Sequence, residues 1–272
     1  MHRTQRGFTL IELSVVLVII GLIIGGVVVG RDLIKASEAR ATITQIEKYN
    51  TAANTFREKY SFLPGDINAT AAAQFGFIAR GQYAGQGDGN GLIEGVWGNS
   101  RGKNQGEEEE AGETVVFWTD LSTARMIDGS FQAASICCRG SEVTAIDTYL
   151  PAAKLGQGNY IYVFSSGQKN YFGLSAVTAI GSSAVEDVWG DTSSTPSLSV
   201  QQAYEIDRKI DDGLPQSGNV LAQYINGAVL WVGASAWDRS NPDAPGPLQQ
   251  QLPPAPPQRA MTTAPPAAAR RE

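Results

Sequence analysis

The 272-residue chain has one histidine, His2, and two cysteines, which are neighbours at Cys137-Cys138. With no histidine beyond the second residue, the body of the chain cannot assemble a Ser-His-Asp or Cys-His relay, nor a zinc site built on imidazole. Adjacent cysteines make a poor bridge, because their Cα atoms lie about 3.8 Å apart, below the usual disulfide range. Two small residues in a partly buried strand or loop is the simpler reading. Proline is missing until Pro64, so nothing in that stretch forces a break in a helix. Cations are short as well: 21 Lys and Arg stand against 27 Asp and Glu, a net charge of −6. That balance argues against a binder of nucleic-acid backbones, which needs Lys and Arg to neutralise phosphates. Carboxylate-only hydrolysis survives these exclusions, but no catalytic pair stands out, and the chain reads as a non-enzyme.

Charge is scarcest from Phe8 to Gly30, where 23 residues contain no Lys, Arg, Asp or His and the one ionisable side chain is Glu12. This run is long enough to span a bilayer as a helix, which takes roughly 20 apolar residues. A carboxylate in such a segment costs on the order of 2.5–3.5 kcal/mol at mid-membrane, so its default reading is functional. In front of it, Met1-His2-Arg3-Thr4-Gln5-Arg6-Gly7 is short and basic, which keeps this end cytoplasmic and exports the rest. A secretory signal is cut behind its apolar region; here the junction Gly7-Phe8 lies ahead of it.

Gly7-Phe8-Thr9-Leu10-Ile11-Glu12 and the apolar run behind it resemble the N-terminal signal of type IV pilins and type II secretion pseudopilins. The resemblance implies that a prepilin peptidase cuts between Gly7 and Phe8, that Phe8 is N-methylated, and that Glu12 is the acid used in assembly. It further implies an α+β, pilin-like fold, in which a long N-terminal helix packs on an antiparallel sheet. The implied partners are further copies in a filament, the peptidase, an inner-membrane assembly platform and membrane lipid, with no nucleic acid. The implied location is the bacterial inner membrane, crossed once with the head in the periplasm, and then the filament. Many type IVa pilins carry a proline in the apolar segment; its lack here tilts the reading toward a pseudopilin or a divergent pilin. Two functions from different classes stay open: a subunit that polymerises into a pilus or pseudopilus, and an anchored periplasmic binding module that does not polymerise. Loss of residues 1–7 removes Arg3, Arg6 and His2, taking the balance to 19 − 27 = −8.

Beyond Arg31, the residues Ala39, Ile43, Ile46, Tyr49, Ala53, Phe56 and Tyr60 recur at spacings of three and four, the stripe of an amphipathic helix. One helix from Phe8 to about Tyr60, roughly 80 Å long, is expected, closed by Pro64-Gly65-Asp66. Gly21, Gly25, Gly26 and Gly30 in its apolar half suit either close packing between subunits or local unwinding. The chain thus divides into a leader 1–7, an apolar half-helix 8–30, an amphipathic half 31–61, a head 62–237 and a tail 238–272. That tail is dominated by Pro, Gln and Ala and reads as structureless.

Within the head, Ala71–Phe77 and Leu92–Trp97 read as short structured pieces of a long loop. The run Glu107–Glu110 reads as a solvated acidic patch. Glu113 to Ile127 reads as an amphipathic helix on a sheet, closed by a turn at Asp128-Gly129. Asn159–Ser165, Tyr171–Val177 and Val220–Val232 are strand-like, with 166–170 as a hairpin loop and Gln201–Ile210 as a helix. Asp88-Gly89-Asn90-Gly91-Leu92-Ile93 has the oxygen spacing and glycine of the middle of an EF-hand-type loop. The first acidic ligand of that pattern falls on Gln86 and the closing bidentate acid on Trp97, so the loop is not an independent EF-hand. A calcium ion at Asp88 and Asn90 therefore needs Glu94, or Asp207, Asp211 or Asp212, to complete its shell. The family resemblance strengthens this expectation, since some pseudopilins hold calcium in the head. A Gly-Asn-Asp turn without metal accounts for the same residues.

Overall fold

The computed structural model describes residues 9–81, 85–95, 112–136, 143–166, 168–180, 193–195, 197–214, 217–222 and 248–251. Helix α1 (Leu10–Tyr60) is continuous over 51 residues, about 76 Å at 1.5 Å per residue. It ends where Ser61 turns into the left-handed region at φ 67° and returns its N–H to the Arg57 carbonyl, as helix ends commonly do.

The two halves of α1 differ in partner. From Leu10 to Ile34 the large apolar side chains are exposed within the single chain, and the apolar window is long enough to cross a membrane. From Ala39 onward the expected stripe is buried: Ala39, Ile43, Ile46, Tyr49, Ala53 and Phe56 are core residues. Tyr60 is half-buried, and Arg40, Glu47, Lys48, Glu58 and Lys59 face solvent.

That stripe reaches the sheet through a third layer. Helix α3 (Glu113–Thr123) is buried over nine consecutive residues, Glu113 to Leu121. A helix buried on every side sits between other elements rather than on a surface. Trp118 meets Tyr49 of α1 edge-to-face, with ring centroids 5.0 Å apart. On its other side Phe117 meets Phe172 at 6.2 Å. Phe56, completely buried, adds a ring contact to Phe77 at 5.2 Å. Burial of such a ring is worth roughly 1.5–3 kcal/mol. Helix α4 (Val200–Ile210), capped by Ser199 and Gln202 in a reciprocal box, places buried Ile206 in the same core and packs along α1. Helix α2 (Ala69–Phe75) starts from an Asn68 cap.

The sheet is antiparallel throughout. Strands β1 (Tyr160–Ser166) and β2 (Lys169–Ala179) form the expected hairpin, but pairing continues out to Ser166 and Lys169. The five-residue loop is therefore a tight connection, entered with Gln168 at φ 65°. The sheet order is β1, β2, β5 (Leu248–Gln251), β4 (Val220–Ala222), and β3 (Ser193–Thr195) pairs with the far end of β2. The expected third strand is present over Val220–Ala222, the part of Val220–Val232 that lies within the described residues. One expectation changes here. The tail read as structureless contributes a strand at Leu248–Gln251, because backbone pairing with β2 on one side and β4 on the other asks little of its side chains. The rest of 238–272 lies outside the described residues, as do Cys137, Cys138, Trp97 and Glu107–Glu110.

Candidate functional site

Two places among the described residues gather candidate functional side chains. The first is the start of α1. Gly7 and Phe8 lie outside the described residues, and Thr9 is the helix cap. The Glu12 carboxylate accepts the Thr9 backbone N–H at 2.8 Å and the Thr9 hydroxyl at 2.8 Å, and Glu12 N–H donates to Thr9 Oγ1 at 3.3 Å. This is a capping box, each residue satisfying the other's free backbone donor. In the single chain Glu12 thus stiffens the first turn, four residues beyond Phe8.

The glycines of the apolar half have no neighbours among the described residues. A Cβ placed at Gly21, Gly25, Gly26 or Gly30 would meet nothing within 4 Å, so intramolecular packing does not explain them. The helix does not unwind at them either.

The second place is an acidic clasp in the head, built where the chain after α1 meets the glycine-rich loop and the start of α3. Gly65 turns with φ 84°, and a Cβ there would lie 2.5 Å from the Glu113 carbonyl oxygen, so only glycine brings Asp66 this close to α3. Asp66, 1% exposed, accepts backbone N–H bonds from Gly89 (2.7 Å), Asn90 (3.2 Å) and Gly91 (2.7 Å). Glu113, fully buried in the first turn of α3, accepts from the N–H groups of Gly87 (2.8 Å) and Glu94 (3.0 Å). Gly87 likewise has no room for a Cβ, the Ile67 carbonyl oxygen lying 2.5 Å from where one would be. Asn90 ties the loop to itself: its amide donates to Asp88 at 3.0 Å and to Glu94 at 2.9 Å. Asn170 on β2 closes the outside, accepting from Ile93 N–H and donating to the Gly91 carbonyl, both at 2.8 Å.

Every one of these hydrogen bonds is received by a carboxylate or amide oxygen, and the acids repel one another. Burial pushes Asp66 up to about 8, against the pull of the Gly91 and Gly89 N–H groups and with the push of Asp88. Burial, then the nearby Asp66, holds Glu113 well above the ordinary carboxylate range, and burial raises Glu94. One oxygen each from Asp66, Asp88 and Glu113 lies within 4.8 Å of the others. A hard cation at the usual calcium–oxygen distance, about 2.4 Å, joins oxygens up to about 4.8 Å apart. The clasp therefore has two ways to relieve its charge, a retained proton or a bound cation.

The structure brings Asp88, Asn90 and Glu94 together as the spacing suggests, and adds Asp66 and Glu113. It does not bring Asp207, Asp211 and Asp212 to them: these gather in a cluster of their own at the C-terminal end of α4. There they cap turns, Asp207 accepting from Gly213 N–H at 3.3 Å, Asp212 from Leu214 N–H at 2.8 Å, and Asp211 from Asn219 N–H. The acids that join Asp88 come from elsewhere in the chain: Asp66, six residues beyond the end of α1, and Glu113, the first residue of α3. Sequence reasoning missed both. The available signal was an acid between a helix stop and a helix start, flanked by glycine at Gly65, and an acid in a first helical turn at Glu113.

Beside the clasp, Asp120 forms a buried ion pair with Arg80 at 2.5 Å and accepts Gly65 N–H at 2.7 Å. Arg80 also donates to the carbonyls of Ile67 (3.1 Å) and Ile78 (2.9 Å). Its guanidinium thereby anchors both sides of the α2 excursion to α3.

Residues 2–28 match the family model described as the prokaryotic N-terminal methylation motif. The chain opens with a prepilin-type signal. This signal, shared by type IV pilins and pseudopilins, covers the basic leader, the Gly7-Phe8 junction, Glu12 and most of the apolar half-helix. No curated protein and no solved structure matches the chain.

Proposed function

We propose that the chain is a prepilin: a structural subunit cut between Gly7 and Phe8, N-methylated on Phe8 and polymerised into a type IV pilus or a type II secretion pseudopilus. The prepilin-type signal over residues 2–28 carries this reading. The division of α1 supports it. An apolar half with no partner among the described residues needs a bilayer before assembly and neighbouring subunits after it, while the other half is locked into the head. The unfilled glycine positions on the apolar half suit close helix contact.

Glu12 acts in assembly. Once the leader is removed, the Phe8 amine carries a positive charge, and in a filament core the Glu12 carboxylate of an adjacent subunit pairs with it. Attraction grows as the dielectric falls but desolvation offsets much of it, so the pair sets register more than raw stability. The head lies in the periplasm, and the protein is a substrate of the prepilin peptidase rather than an enzyme. In the acidic clasp Asp66, Asp88 and Glu113 would hold a calcium ion, which would supply the positive charge their grouped carboxylates call for.

Mass spectrometry of the N-terminal peptide tests processing: methylated Phe8 is expected, and an intact Met1 leader in cells with an active prepilin peptidase refutes it. Gly7→Val leaves the precursor in the inner membrane. Glu12→Val inserts and is cut but yields no sheared fibres; normal fibres from it overturn the assembly role. Processed wild-type protein that never enters the sheared fraction marks an anchored module instead.

A further inference from the structure

A groove runs beside residues 37–55 of α1, between the helix and two stretches of loop, 125–131 and 147–154. Its walls are held in place by side-chain clamps. Gln45 accepts Lys154 N–H at 2.8 Å and donates to the Ala152 carbonyl at 2.8 Å. On the other side Thr119 donates to the Phe131 carbonyl at 2.6 Å. Four exposed cations rim the groove, Arg40, Lys48, Arg125 and Lys154, and none of them is in an ion pair among the described residues. Asp128 and Asp147 are the acids on the rim, which leaves it at 4 − 2 = +2 on a chain of net charge −6.

A bilayer surface is the wrong partner. Arg40 and Lys48 lie 10 and 18 residues past Gly30 on a continuous helix, about 15 and 27 Å beyond the apolar run. Attraction to anionic headgroups fades within a Debye length of about 8–10 Å. The complementary charge is present in the chain itself, as Glu107-Glu108-Glu109-Glu110. That run cannot sit along the whole of its own groove. Gly112 precedes α3 and Ala124 follows it, just before Arg125, and 12 helical steps place Gly112 and Ala124 about 18 Å apart along the axis. Glu110 and Glu109, two and three residues from Gly112, reach at most about 7 and 11 Å from it.

We propose that Glu107–Glu110 of one subunit dock in the cation-rimmed groove of a second copy of this chain. The acidic run and the groove are different segments of the sequence; a contact of one with the other that is not reciprocated is heterologous, and a heterologous contact that does not close into a ring propagates as a helical filament. The inference rests on the reading that the chain polymerises, and it names surfaces through which adjacent heads meet.

Carbodiimide coupling of carboxylates to lysines tests it on full-length protein, in cell membranes and in sheared fibres. Covalent dimers are expected whose tryptic peptides join the Glu107–Glu110 segment to Lys48 or Lys154. The double variant Lys48→Glu/Lys154→Glu should lower that dimer at least tenfold. Adding Glu107→Lys, Glu108→Lys, Glu109→Lys and Glu110→Lys to it should restore a dimer through the same two peptides. Coupling of the run to Lys35, Lys59 and Lys169 as readily as to Lys48 and Lys154 overturns the docking. So do dimers unchanged in the double variant, or coupling found only within monomers. Fibres are scored separately: wild-type fibres without the linked peptides overturn this contact alone, and its presence in membranes is read whether or not fibres form.

Discussion

Raising the pH should loosen the head through Asp66. Its ordinary value is 3.8 and burial pushes it to about 8 in the folded chain, so the native state binds this proton more tightly than the unfolded state does. The associated stability is complete below about pH 4, falls progressively between about 4 and 8, and is gone above 8. A shift of about four units at 1.36 kcal/mol per unit sets a ceiling of roughly 5–6 kcal/mol. Glu113, raised by burial and by Asp66 itself, spreads the loss over a wider pH range because the two titrate together. The assay is chemical denaturation of full-length protein in detergent, followed by the fluorescence of buried Trp118 and repeated at half-unit steps from pH 4 to 9. Asp66→Asn is the control. It cannot titrate and it turns an amide toward one of the three N–H donors, so it should be less stable than wild type at pH 4 and lose far less on going to pH 8. Wild-type stability that stays level or rises over this interval relative to Asp66→Asn would refute the buried-proton account. A bound cation relieves the same repulsion without a proton, and its effect is therefore greatest at pH 8.

Millimolar calcium at pH 8 should raise the denaturation midpoint and give a calorimetric heat of binding, both lost in Asp88→Asn; no response leaves Asp88 and Asn90 as turn residues. Arg80→Ala strands Asp120, fully buried in α3, and should cost about 3–5 kcal/mol by denaturation, with much of the loss recovered in an Asp120→Asn background. Phe56→Ala removes a completely buried ring between Phe77 and Tyr60 and should cost about 3–5 kcal/mol without affecting leader cleavage, read on a gel. Gly65→Ala forces a Cβ against the Glu113 carbonyl at a positive φ, a strain of about 1–3 kcal/mol that should show as a lower melting temperature and increased proteolysis at 85–95.

Elements whose cause is local are legible in the sequence itself. The unbroken α1 follows from the lack of proline before Pro64, the buried stripe from Ala39 to Phe56 follows from 3.6-residue spacing, and β1 and β2 follow from their β-branched and aromatic runs. The prepilin-type signal is legible for the same reason, since the matched motif is a run of contiguous residues. What tertiary structure alone decided is which distant residues share a place. Asp88 and Asn90 are visible as a turn, but Asp66 and Glu113, 47 residues apart in sequence, join them only because α3 is drawn between α1 and the sheet by its buried length. Asp207, Asp211 and Asp212 are equally acidic and equally plausible as partners, and the fold leaves them in a turn of their own. Composition carries no hint that Leu248–Gln251 pairs between β2 and β4, because a strand held by backbone hydrogen bonds on both edges needs no apolar pattern to mark it.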